Sequence, residues 1–175
     1  MFTLIIKWSS HYWQREVSAN ECLTGSDVTE SYPAFFAYAG VFFALVFSNA
    51  GAAYGTAKSS IGIANLGLVQ PNKIFRALIP IIMAGILGIY GLIVGVLLQS
   101  KAKNADMQMG YQFLGAGIVC GFSSLASGFA IGIAGEKLLQ SYAQTDKMFI
   151  GMILVMIFAE AIGLYGLIIA IVMTV

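Results

Sequence analysis

Four long, nearly uncharged runs decide what this chain can fold into. They cover roughly residues 34–57, 74–98, 110–135 and 148–173, each close to the ~20 residues an α-helix needs to cross a hydrocarbon core about 30 Å thick. Lipid offers no hydrogen bonds to the backbone, so runs of this kind fold as helices that satisfy their own N–H and C=O groups. Composition agrees: 59% of the 175 residues are hydrophobic and only 10% are charged, too few charges to clothe a water-soluble domain. A net charge of +1 leaves no basic face to neutralise phosphates, and nucleic acid is excluded as a partner.

Residues 1–33 form a polar leader with Glu16, Glu21, Asp27 and Glu30 set against Lys7 and Arg15. Its apolar "FTLII" is too short for a signal-peptide core, and the positive charge follows that run instead of preceding it, so the leader is expected to be retained. Trp8, Tyr12 and Trp13 allow an interfacial tether as the alternative to a mobile tail. The spans are joined by polar stretches: Lys58, Pro71, Asn72 and Lys73 in the first, residues 99–109 in the second, and Glu136, Lys137, Asp146 and Lys147 in the third. Five Lys/Arg side chains lie on the side of the first and third loops and four on the opposite side. That count favours termini facing the lumen or exterior. Cys22, Cys120 and the single His11 make no disulfide framework, metal cluster or nucleophilic set, and the expectation is no metal and no cofactor.

The chain repeats itself. "PIIMAGILGIYGLI" (80–93) and "VMIFAEAIGLYGLI" (155–168) agree at seven of fourteen positions at an offset of 75, and "AGAAYGTA" (50–57) matches "SGFAIGIA" (127–134) at four positions at an offset of 77. Two helical hairpins, 34–98 and 110–175, are therefore joined in one orientation as a parallel repeat. Small residues form a stripe on the first helix (Gly40, Ala44, Ser48, Gly51, Gly55) and on the third (Gly117, Gly121, Ser124, Gly128, Gly132). Without a hydrophobic drive between helices in lipid, such stripes let backbones approach and gain dispersion contacts. Gly51, Gly55, Gly128 and Gly132 are the expected packing positions. The stripes fit a bundle closed on itself, but two whole helices this rich in glycine favour lateral association of several copies, with the first and third helices crowded inside a ring.

One charged residue lies inside the last span. Glu160 falls on Gly85 in the repeat, and counting about 1.5 Å per residue from Met148 places it roughly 18 Å in, near the bilayer midplane. A charge there costs about 2.5–3.5 kcal/mol on insertion scales, so the group is expected to be neutral wherever it faces lipid. Arg76, the cation best placed on the second helix, lies nine residues before Gly85, about 13.5 Å away along the axis. The ionised form therefore needs a positive partner from another chain, which is what a proton shuttle requires; a neutral hydrogen bond between helices is the plainer alternative. Tyr90 has either of two roles, lending its hydroxyl to Glu160 or anchoring a packed interface. Sodium would need several oxygen ligands around the carboxylate. The third helix offers Ser123, Ser124 and Ser127 but no Asp inside the span, and proton is favoured.

"GAAYGTAKSSIGIA", "IPIIMAGILGIYGLI" and "FIGMILVMIFAEAIGLYGLI", in that order, resemble the proteolipid c-subunits of vacuolar-type proton-transporting ATPases, over about residues 34–173. The resemblance implies an all-α membrane protein of four transmembrane helices, built as two fused hairpins and assembled with other c-subunits into a rotor ring. It also implies Glu160 as proton carrier, an arginine of the stator a-subunit opposite it, the central-stalk d-subunit as a further partner, and lumenal termini in a vacuole or other acidic endomembrane. ATP would be hydrolysed elsewhere in the complex, and no phosphate loop occurs in this chain. Two features depart from the pattern: the long leader, and "GEKLLQSYAQTDKM" (135–148) in place of the usual third connection, which puts stalk binding in doubt. The rival reading is a self-contained oligomeric pore or junction channel. An intramembrane enzyme would need a second catalytic group at Glu160's depth, and the sequence offers none.

Overall fold

The structure is a computed structural model and describes residues 25–102 and 106–175, with side chains from Tyr32 onward. The leader features at Trp8, His11, Tyr12, Trp13 and Cys22 lie outside the described residues. Helix α1 is Gly25–Val69, α2 is Ile79–Lys101, α3 is Met107–Gln144 and α4 is Met148–Thr174. No strand occurs among the described residues. Four of the helical segments are long and apolar enough to cross a membrane.

Two helices run well past the ends that charge placement suggests. The first span covers Tyr32–Val69, 38 residues, and the third covers Met107–Gln144, also 38, or about 57 Å each at the rise of an α-helix. Both exceed the hydrocarbon thickness by several turns. Lys58 and Glu136, expected in loops, instead lie within α1 and α3 and pair with one another at 3.5 Å. A charge ends a span at the membrane surface without ending the helix, because the backbone ladder continues into water. The second span begins differently. A turn of 3-10 helix at Pro71–Lys73 and one helical turn at Ile74–Ala77 precede α2, with a break at Leu78. Pro80, lacking an N–H and clashing with the preceding turn, accounts for the break.

The glycines explain how the helices pack. At Gly51 a Cβ would stand 2.7 Å from Leu125 Cα, at Gly55 2.9 Å from the Gly128 carbonyl, and at Gly121 2.5 Å from the Phe43 carbonyl. Gly117 and Gly128 lie directly against the backbone of Gly40 and Gly51, and a side chain at either would collide with it. Thus α1 and α3 touch backbone to backbone, in parallel, along the seam. Aromatic pairs flank it: Phe36 with Tyr111, Phe47 with Phe122 and Tyr54 with Phe129, at 4.8, 4.7 and 4.2 Å between ring centroids. Within one chain the two stripes meet each other, because equivalent small residues sit at equal heights on two parallel helices.

The outer pair lies on this inner pair. Gly91 of α2 packs on Ala44 and Ser48 of α1, and Gly166 of α4 packs on Val119 and Ser123 of α3. Both sets of contacts recur at an offset of 75, although the glycine motif of the inner helices repeats at 77. The third helix thus turns a different flank toward its own hairpin partner than the glycine alignment suggests. At the end carrying the first and third connections, Lys73 pairs with Asp146 and stands over the Tyr142 ring, 5.0 Å from its centroid.

Replacing Gly128 by Leu should prevent α1 from seating on α3, costing on the order of 1–3 kcal/mol or more as overpacking. Gly151→Leu, where no described atom lies within 4 Å of a Cβ, should leave the chain folded. Protease resistance and thermal unfolding in mild detergent check the pair.

Candidate functional site

Glu160 is the thirteenth residue of the 27-residue α4, close to its middle, and its side chain is turned inward between α2 and α4. Only 7% of it is exposed. The Tyr90 hydroxyl donates to Glu160 Oε1 at 2.9 Å. Oε2 is buried and has no hydrogen-bond partner among the described residues. Of the two roles open to Tyr90 in the sequence, the geometry places its hydroxyl on the carboxyl.

Several neighbours define the rest of the pocket. One residue before the acid, the Ala159 carbonyl accepts from the Ser127 hydroxyl of α3 at 2.7 Å. That hydroxyl hydrogen is committed to backbone. Ser123 likewise donates to the Cys120 carbonyl at 3.1 Å, and Ser124 is buried with no partner among the described residues. On the next turn of α4, Gly163 receives Leu87 of α2, whose Cδ2 would stand 2.6 Å from a Cβ there. The acid and its tyrosine thus sit beside a close contact between α2 and α4 at Gly163. The described salt bridges join Lys58 to Glu136 and Lys73 to Asp146, and neither involves Glu160.

The first hairpin has no counterpart. Gly85 occupies the equivalent position on α2, is exposed, and has no described atom within 4 Å of a Cβ. One polar residue stands out only in the structure. Asn49 of α1 is exposed, and its Oδ1 lies 3.0 Å from a Cβ position on Gly88, one turn from Gly85. Its signal in the sequence is an amide inside the first apolar run.

A buried acid at mid-span, one tyrosine upon it, and two hairpins of which only one carries a carboxyl form the pattern to compare with known proteins. The model of the ATP synthase C-subunit family matches twice, over residues 39–98 and 114–173, once per hairpin. The human V-type proton ATPase 16 kDa proteolipid c-subunit is 50% identical over 145 residues, 82% of this chain and 93% of the relative. The Caenorhabditis elegans V-type proton ATPase 16 kDa proteolipid c-subunit 2 is 46% identical over 147 residues, 82% of this chain and 91% of the relative. This chain belongs to the family of V-type proton ATPase proteolipid c-subunits. Both family matches fall within the described residues, and the proteolipid's acid lies inside the second.

A hydrophobic carbodiimide reacts with protonated acids in apolar sites, so it should label Glu160 and spare Glu136 and Asp146. Tyr90→Phe removes the carboxyl's one described hydrogen bond, worth about 1 kcal/mol. The label should then enter about fivefold faster, as measured by mass spectrometry of the α4 peptide.

Proposed function

We propose that this proteolipid is a rotor-ring subunit of a V-type proton ATPase and that Glu160 carries the proton. The observation that supports this reading is the half-satisfied carboxyl: one oxygen held by Tyr90, the other buried without a described partner. An anion with a single hydrogen bond in such a place is costly, whereas a neutral acid is tolerated. The pocket is therefore suited to a loaded carrier. Tyr90 donates to the carbonyl oxygen of the acid, and the acidic hydrogen stays on Oε2.

Release requires a positive charge brought to the carboxyl from outside the chain. An arginine of the stator a-subunit is the natural donor, since a guanidinium stays charged and pairs with both oxygens at once. The side chain must then leave the cleft between α2 and α4 and turn outward. Exchange of the Tyr90 hydrogen bond for the ion pair unloads the proton; loss of the ion pair as the ring moves on reloads it. Each copy carries one acid on four helices, so fewer protons cross per turn than with an acid on every hairpin, and each receives a larger share of the energy of ATP hydrolysis. That gearing suits acidification of a vacuole or similar endomembrane compartment.

The first and third connections, with Lys73, Asp146 and Tyr142, form the end suited to the central stalk and its d-subunit, with the termini lumenal. In vesicles from cells that depend on this chain, Glu160→Gln should abolish ATP-driven acidification with ring assembly unchanged. Retained pumping would refute the mechanism, and conduction without ATP that survives Glu160→Gln would indicate a passive pore.

A further inference from the structure

The second and fourth helices are copies at an offset of 75, so Leu87, Gly88 and Tyr90 correspond to Ile162, Gly163 and Tyr165, and Gly85 corresponds to Glu160. Within the chain, one edge of the first hairpin fits into the second. Leu87 fills the space at Gly163, and Tyr90 reaches Glu160. The second hairpin presents the same edge again, uncovered: Ile162 is 45% and Tyr165 64% exposed. The first hairpin presents the matching receiving surface, Gly85 and Gly88, also open on the side of Gly85. A chain with one free inserting edge and one free receiving edge is completed by a second copy of itself, in the head-to-tail contact that closes into a ring.

The chemistry at that contact differs from the chemistry within the chain. Tyr165 would bring its hydroxyl to Gly85, which has no side chain to accept it, and a tyrosine hydroxyl buried in an apolar contact needs a partner. Asn49 stands one turn along, at Gly88. Its Nδ2 donates to the Leu45 carbonyl at 2.8 Å, which fixes the amide and leaves Oδ1 as the acceptor, against Gly88. We propose that at each junction between copies Tyr165 of one chain donates to Asn49 Oδ1 of the next, a neutral hydrogen bond that stands, one helical turn along, for the Tyr90–Glu160 bond within the chain. The inference rests on the ring reading above. It gives the ring two alternating kinds of hairpin junction, one that holds a proton and one that cannot, and it assigns Asn49 as the residue that satisfies the second tyrosine.

The test uses the full chain carrying Cys22→Ser and Cys120→Ala, extracted as rings in mild detergent. Asn49→Cys combined with Tyr165→Cys should yield a ladder of covalent multimers with a bis-maleimide of about 10 Å span. Asn49→Cys with Ile150→Cys, about 22 Å lower on α4 by helix rise, should yield none. Rings of native size without the ladder would overturn this inference and leave the ring reading standing. A starting chain that forms no rings would overturn both. Should only the cysteine pair fail to assemble, Tyr165→Phe and Asn49→Leu decide: each should lower the detergent concentration that dissociates the ring, and the double variant should lower it no further than either alone. Additive losses would overturn the inference.

Discussion

Backbone contact between α1 and α3 is the constraint on which the rest of the structure depends. Burial from water contributes nothing between helices already in lipid, so dispersion at close approach must hold them. Gly40, Gly51 and Gly55 on one side and Gly117, Gly121 and Gly128 on the other bring the two axes near enough for peptide groups to touch. Because the seam is formed in parallel and in register, the two hairpins start from equivalent positions. The outer helices inherit that equivalence, with Gly91 and Gly166 seated alike on the inner pair.

The equivalence is broken at one position inside the spans. Glu160 and Gly85 occupy the same place on two copies of one helix, and the tyrosine five residues on is kept in both, as Tyr90 and Tyr165. Within the chain the first of these finds an acid; the second stands exposed at the free edge. A chain of fused hairpins can therefore differ at its two junctions while keeping a single packing geometry. Only one of the two hairpins carries an acid, and the packing of the inner helices is unaltered by it.

Much of the fold was readable because the bilayer imposes a length and the repeat imposes an order. The four spans, the hairpin pairing and the isolation of Glu160 from any cation of its own helices all rest on counting residues. The helix ends were not readable that way. Lys58 and Glu136 look like loop residues until α1 and α3 lie side by side and the charges meet, and Pro80 acts as a helix start only because the chain has just turned. The sequence leaves Tyr90 two roles, since an offset of five residues along α2 says nothing of which side faces α4.

Read alone, the sequence establishes four membrane spans, a doubled hairpin and a single acid near the middle of the last span, since these follow from hydrophobic length, self-similarity and the counting of residues. The tertiary structure decided what each stripe and side chain faces. It turned the glycines of α1 and α3 toward each other, set the Glu160 carboxyl in the cleft with Tyr90, and left Tyr165 and Asn49 on open edges. Those choices depend on helix rotation and close approach, which arise only when several helices compete for the same contacts.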